Sequence, residues 1–385
     1  MKMGITCHPS AGGSGVLATE LGLALAERGH EVHFVTHEPP FRLRGFHENV
    51  FFHYVEAASY PLFHSPPYSL ALAARICDIA EENDIELWHA HYAIPNAAAA
   101  IFARQMLPEE DRFCLVTTLH GTDITLVGSD PSFFRITRFA MEHSCAVTAV
   151  SHWLSQETLR EFHLEQPIRT IYNFLDERKF SSVPKQRCPF CQDDEQVIMH
   201  ISNFRPVKRV TDIIRTFKRV LEKVDARLVM IGEGPERMSA VGVAKQLGIS
   251  DKVTFQGNVE NIEDILPCAQ LVFQPSEHES FGLVPLEAMA CGVPVLGTAS
   301  GGVTEVVEHG VNGYLCEVGD IEAMARYAIE ILTDEEKGRR MGQAGREHAL
   351  REFGRDKIVT QYEALYEEVL DMRKQGLHAP GRHHV

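Results

Sequence analysis

The sequence predicts an α/β fold made of two domains of similar size, each a mostly parallel sheet with helices on both faces. Three observations carry that prediction. Short apolar stretches alternate with amphipathic helical patterns from the first residues onward. The alternation stops at a polar segment, 176–196, which carries Pro184 and Pro189, and then starts again. Finally, 385 residues with 44% hydrophobic content can bury two cores. Parallel neighbours need crossover connections, and alternating helices supply them, so both halves read as Rossmann-like.

In the first half (1–175), residues 3–8 form a strand pattern, followed by a glycine loop and an amphipathic helix over 16–28 that Gly29 ends. Strand 32–36, helix 70–83, strand 87–90, helix 96–106 and strands 115–119 and 146–150 complete the series. The second half (176–354) opens with strand 197–201 and continues with helix 210–223, strand 227–231, helix 236–247 and strand 253–255. A helix over 262–268, strand 271–274, a helix through Glu287, strand 293–297 and helix 321–332 follow. The last helix, 358–373 (about 355–374 with its ends), is amphipathic and is expected to pack back on the first domain. The tail from Gly376, with three His, is expected to lie outside the fold. Two such domains are expected to present the carboxyl ends of their parallel sheets to each other across a cleft.

Composition removes several function classes. A formal net charge of −16 argues against nucleic acid or an anionic membrane as partner, since both call for a basic face. No apolar run reaches the length of a membrane span, and the chain enters a strand pattern at once without a signal-peptide layout. Cysteines scattered through apolar segments (Cys77, Cys114, Cys145, Cys291) read as reduced core residues of a cytoplasmic protein. Cys188 and Cys191 resemble half a zinc or redox site, but no second ligand pair stands nearby, so the plainer reading is an incidental linker pair.

The chemistry-bearing residues cluster at predicted strand ends. Glu279 and Glu287 bracket Ser280-Phe281-Gly282-Leu283, between strand 271–274 and an apolar helical pattern. The N–H groups of Phe281, Gly282 and Leu283 would be the unpaired donors of a helix start, which suit an anion. Flanking carboxylates can accept from sugar hydroxyls, so the element reads as a nucleotide-sugar site; glutamates there also simply complement the helix dipole. Ser10-Ala11-Gly12-Gly13-Ser14-Gly15 lets backbone approach a ligand at the first strand–helix turn, although it lacks the dinucleotide spacing and is also a plausible tight turn. His120-Gly121-Thr122-Asp123 follows strand 115–119, and His89-Ala90-His91-Tyr92 ends strand 87–90; Tyr92 is the candidate ligand and His89 the structural one. Asn203-Phe204-Arg205-Pro206-Val207-Lys208-Arg209 gathers three cations at a helix start in an acidic protein, which reads as an anion site. Gly232-Glu233-Gly234-Pro235 repeats the strand-end glycine theme.

Taken together, Gly12 to Gly15, His120, Lys208, Gly232 to Pro235 and the Glu279/Glu287 pair resemble the family-4 retaining glycosyltransferases of the GT-B fold, over nearly the whole chain to about Tyr366. Pro40-Phe41-Arg42-Leu43, the 89–92 and 117–125 segments, and 202–209 look most like members that move N-acetylglucosamine from UDP-GlcNAc to the hydroxyl of L-malate with retained α configuration, a step of bacillithiol biosynthesis. The resemblance implies that Lys208, Arg205 and the 281–283 amides stabilise the leaving UDP. It also implies that Glu279 holds the donor sugar, Glu287 the ribose, and His120 the donor sugar from the other domain. Gly13, Asn203 and Gly232 join the donor side. Many family members carry Arg where this chain has Asn203, and Arg205 stands nearby. Malate needs donors from the first domain, and Ser14, Tyr92, Thr122 and Arg138 are the candidates, with Arg42 in reserve; Arg138 also reads as a surface helix cation.

No Asp-x-Asp pair occurs, so neither an essential metal nor another cofactor is expected. No side chain stands out as a nucleophile, and the resemblance implies a front-face path in which the leaving phosphate accepts malate's proton. Three alternatives stay open: a family-4 transferase with another acceptor, a UDP-N-acetylglucosamine 2-epimerase, and a non-enzymatic two-lobed sugar-binding protein. Self-association into a homo-oligomer is left open as well.

Overall fold

The computed structural model describes residues 1–9, 12–57, 66–183, 189–190 and 195–376. Ser10, Ala11, Cys188, Cys191 and the tail after Gly376 lie outside the described residues, and with them the readings made of that loop start, the cysteine pair and the tail. The chain divides into two units: Met1–Asn173 together with the segment from Asp356, and Phe174–Arg355.

The first unit holds β1 (Lys2–Thr6), α1 (Gly13–Glu27), β2 (Glu31–Thr36), β3 (Val50–Tyr54), α2 (Tyr68–Asn83), β4 (Leu87–His91), α3 (Ala98–Met106) and β5 (Cys114–Leu119). After these come α4 (Thr122–Thr125), α5 (Phe134–Glu142), β6 (Ala146–Ala149), α6 (His152–Phe162) and β7 (Ile168–Thr170). The sheet runs β3-β2-β1-β4-β5-β6-β7 and is parallel throughout. Because helices cover both faces, the central strands β4 and β5 are buried at every residue, including the polar His89, His91, Thr117 and Thr118. Gly29, at φ 87°, follows the C-cap Arg28 and stops α1, and Ser151 Oγ accepts from Leu154 N–H to start α6.

The second unit holds β8 (Gln196–Ile201), α7 (Val210–Val220), β9 (Ala226–Ile231), α8 (Arg237–Gln246), β10 (Val253–Gln256), β11 (Leu271–Gln274) and α9 (Leu283–Ala290). It continues with β12 (Val295–Thr298), β13 (Gly313–Cys316), α10 (Ile321–Thr333) and α11 (Glu335–Phe353). Its sheet is also parallel, in the order β10-β9-β8-β11-β12-β13. Ile198, Phe217, Leu228, Met230, Phe273 and Leu296 form its core, all shielded from solvent. The expected helix over 262–268 is instead two short 3-10 turns, Ile262–Asp264 and Leu266–Cys268, because Pro267 cannot supply the amide that would join them.

The final helix, α12 (Arg355–Lys374), packs on the first unit. Tyr362, Leu365, Tyr366 and Val369 are buried, and the Tyr366 hydroxyl pairs with His89 Nδ1 at 2.8 Å. Arg28 clamps its first turns through Asp356 and Glu363. In both sheets the strand order reverses direction at one point, between β1 and β4 and between β8 and β11. Loops leaving the carboxyl ends of strands at such a reversal diverge to opposite faces and leave a crevice for ligand.

Candidate functional site

In the second unit, the loops after β8 and β11 carry the predicted donor residues. Lys208 lies in a 3-10 turn, Pro206–Lys208, and its Nζ donates to Glu279 Oε2 at 2.6 Å, both side chains being largely covered (18% and 17% exposed). Gln274 Nε2 (3.1 Å) and Ser276 Oγ (3.4 Å) donate to the same carboxylate oxygen. Burial pushes the Glu279 carboxyl up, but the Lys208 charge and these three hydrogen bonds outweigh it, so its pKa lies below the usual value. Glu279 is therefore an ionised acceptor at neutral pH. His200, buried beneath, bonds the Phe273 carbonyl and Ser202 Oγ and is held neutral, its pKa lowered to about 4 by burial.

Glycines and the helix start complete this arrangement. Gly282, at φ 105°, is the N-cap of α9, whose first intrahelical bond runs from Leu286 N–H to the Gly282 carbonyl. The amides of Leu283 and Val284 precede any helical partner, and Pro285 has none to offer. The Phe281 side chain is buried edge-on against Phe353, so its contribution to a ligand is its backbone. Glu287 stands half-buried one turn into α9. Asn203 and Arg205 are exposed on the loop after β8, and Gly232, at φ 121°, approaches the Ser202 carbonyl so closely that a Cβ would come to 1.9 Å.

One predicted cation does not join the site. Arg209 donates to Asp212 at 2.7 Å, and Asp212 sits in the first turn of α7. That carboxylate neutralises the charge at the helix start, so Arg209 belongs to the helix and the local cationic set is Lys208 and Arg205.

The sequence reading missed the loop after β12. Gly302 N–H bonds the Glu279 carbonyl at 2.7 Å, and Ser300 Oγ bonds the Glu277 carbonyl at 2.6 Å. Gly301 adopts φ 72° with its missing Cβ 2.2 Å from the Glu279 carbonyl oxygen. This glycine pair lets the loop buttress Glu279; its signal was a third strand-end glycine cluster, Ser300-Gly301-Gly302. Gly301→Ala is expected to lower stability by more than about 1 kcal/mol in chemical denaturation, since alanine must be forced into left-handed backbone against a carbonyl.

In the first unit, the predicted residues gather after β1, β4 and β5. Gly13 begins α1, and Ser14 Oγ donates to the Tyr92 hydroxyl at 3.3 Å. Tyr92, at φ 85°, stacks on His120 (ring centroids 5.3 Å apart) and meets His8 edge-on at 4.8 Å. His120 Nε2 lies 2.9 Å from His91 Nδ1. His89 is buried between Thr118 Oγ1 and the Tyr366 hydroxyl, a structural position. Burial lowers the pKa of His89 and His120 to about 3 each, so all these rings are neutral at pH 7.

Asp123 is the second residue the sequence reading undervalued. Its buried carboxylate accepts from the backbone N–H groups of Ala93, His120 and Gly121, and so fixes the loop that bears His120. Burial outweighs these bonds and raises its pKa to about 6. Thr122 is half-buried at the start of α4, and half-buried Arg138 bonds Glu142 on its own helix at 2.7 Å, a helix that packs on the turn following Tyr92. Arg42 faces Glu20 at 3.9 Å. Among the described residues, no group of three or more His, Cys, Asp or Glu side chains is arranged to hold a metal, and no helix is long and apolar enough to cross a membrane.

Comparison with known proteins bears on what this geometry serves. Residues 11–179 match the family model described as Glycosyltransferase Family 4, and 187–348 match that of glycosyl transferases group 1. Over 98% of this chain and 99% of the relative, the sequence is 48% identical to N-acetyl-alpha-D-glucosaminyl L-malate synthase of Bacillus anthracis. It is also 35% identical to D-inositol 3-phosphate glycosyltransferase of Mycolicibacterium smegmatis, over 40% of this chain and 36% of the relative. Sucrose-phosphate synthase from Thermosynechococcus elongatus superposes with a TM-score of 0.80 at 22% identity, covering 96% of this chain and 99% of the other. Anabaena HepE in complex with UDP and glucose gives 0.78 at 20% identity, covering 95% and 99%. Two parallel Rossmann-like sheets, family models over both halves and a full-length relative lead to one conclusion: the chain belongs to the family-4 glycosyltransferases of the GT-B fold.

Proposed function

We propose that this glycosyltransferase moves N-acetylglucosamine from UDP-GlcNAc to the hydroxyl of L-malate with retention of the α configuration. The observation that carries the acceptor is the 48% identity to the Bacillus anthracis malate synthase across nearly the full length of both chains. The chemistry fits the second unit's residues. Breaking the bond between the anomeric carbon and phosphate puts negative charge on the departing UDP and positive charge on the sugar. Lys208, whose Nζ has three donors and spends one on Glu279, can serve that leaving group, aided by Arg205 and the unpaired amides at the start of α9. Ionised Glu279 suits donor-sugar hydroxyls and Glu287 ribose hydroxyls. Fixed cations in this role make a metal dispensable, so activity should survive excess chelator.

On the acceptor side, Ser14, Tyr92, Thr122 and Arg138 supply donors from the first unit, while neutral His120 offers the donor sugar a hydrogen bond without adding charge. Malate's proton would pass to the leaving phosphate oxygen, which needs no protein base. UDP release from UDP-GlcNAc should be slow alone and rise at least tenfold with L-malate, but not with inositol phosphate or other hydroxy acids. Equal release with inositol phosphate would reassign the acceptor, and turnover of UDP-GlcNAc with no acceptor would favour the epimerase.

A further inference from the structure

We propose that His91 is a positioning residue: its Nδ1–H donates to His120 Nε2, which fixes His120 as the tautomer that carries its proton on Nδ1. His91 closes β4 and His120 follows β5, its parallel neighbour, and the two ring nitrogens lie 2.9 Å apart. His91 is 2% exposed and His120 half-buried, and burial holds both rings neutral. A hydrogen bond between two neutral imidazoles needs one N–H and one bare nitrogen, so only two arrangements exist.

The remaining nitrogen of His91 decides between them. His91 Nε2 is buried without a hydrogen-bond partner. If His120 were the donor, the His91 proton would sit on that Nε2 as an orphaned buried N–H, an arrangement that folded proteins rarely keep. With His91 as donor through Nδ1, Nε2 carries only a lone pair. His120 then has its Nε2 occupied and a single N–H, on Nδ1, left to give. The backbone of His120 is fixed separately by Asp123, so His91 governs the ring and not the loop.

The role in turnover rests on the donor-sugar reading of His120 given above, whereas the tautomer itself does not. The test is nitrogen-15 NMR of the full chain labelled at histidine, with turnover measured in parallel. In the parent protein, His120 Nε2 should resonate as a bare nitrogen and Nδ1 as a protonated one; protonation on Nε2 would overturn the proposal. His91→Leu removes the donor and should shift His120 toward a mixture of tautomers, with kcat down about tenfold and UDP affinity unchanged. His91→Asn, whose amide nitrogen falls near the place of Nδ1, should restore both; His91→Gln, which mimics Nε2, should not. An unaltered His120 spectrum and turnover in His91→Leu would also overturn it. Should His91→Leu fail to fold, the parent spectrum and the Asn/Gln contrast still decide. If malate-dependent release is absent while His120 proves Nδ1-protonated, the functional reading fails and the tautomer assignment stands.

Discussion

Lys208→Ala is expected to lower kcat by about 10²–10³-fold, the usual cost of removing one preorganised group that stabilises transition-state charge. The KM for the UDP-sugar should move far less, because the charge Lys208 answers grows only as the glycosidic bond breaks. Fold should be retained, since Gln274 Nε2 and Ser276 Oγ still donate to the covered Glu279 carboxylate once the lysine is gone. Lys208→Arg should recover only part of the activity; a planar fork cannot keep the 2.6 Å contact to Glu279 Oε2 in the same place. Steady-state UDP release checks this, and a loss of less than about threefold would remove Lys208 from the leaving-group role.

Acid should destabilise the protein steeply, with a slope that Asp123 moderates. His89 and His91 are buried, His89 with its pKa lowered to about 3 and His91 well below the ordinary value. The unfolded chain takes up protons on both as pH falls below about 6.5, and the folded chain does not. Their contribution is therefore complete above that pH and lost below it, at about 1.4 kcal/mol per pH unit for each ring. Half-buried His120 acts in the same direction. Asp123 works against them: its pKa is raised to about 6, so between about 4 and 6 the folded state binds the proton that the unfolded state releases. Asp123→Asn should accordingly steepen the loss between pH 6 and 4 by about 1.4 kcal/mol per unit. Chemical denaturation across that range measures it, and an unchanged slope would mean that Asp123 titrates normally.

Much of the architecture was legible because parallel strands buried on both faces leave apolar runs, as residues 228–231 of β9 do. What escaped lacks that signature. β3 is an edge strand with Phe51 and Tyr54 exposed, and α11 carries Gly338, Gly342 and Gly345 among charged residues, with Gly342 and Gly345 buried where it packs on α9. The Lys208–Glu279 partnership was legible only as two separate candidates, because 71 residues separate them. Arg209 looked like a third cation until its partner Asp212, three residues on, came into view. Gly301 and Gly302 act through backbone, and nothing in a sequence says which carbonyl a glycine will approach. Asp123 was in plain sight beside His120, but a carboxylate that caps amides looks the same in sequence as one that binds substrate.

The chain leaves its first unit at Asn173 and returns at Asp356. On the ribosome, the whole of the intervening body emerges before the segment that seals the first sheet's helical cover. Tyr362, Leu365, Tyr366 and Val369 reach their places only then, and until that moment His89 lacks its phenol partner 277 residues away. Nascent protein thus carries an uncapped apolar seam through most of its synthesis, so the inserted body should mature first and the amino-terminal one last, reversing the order in which they are translated.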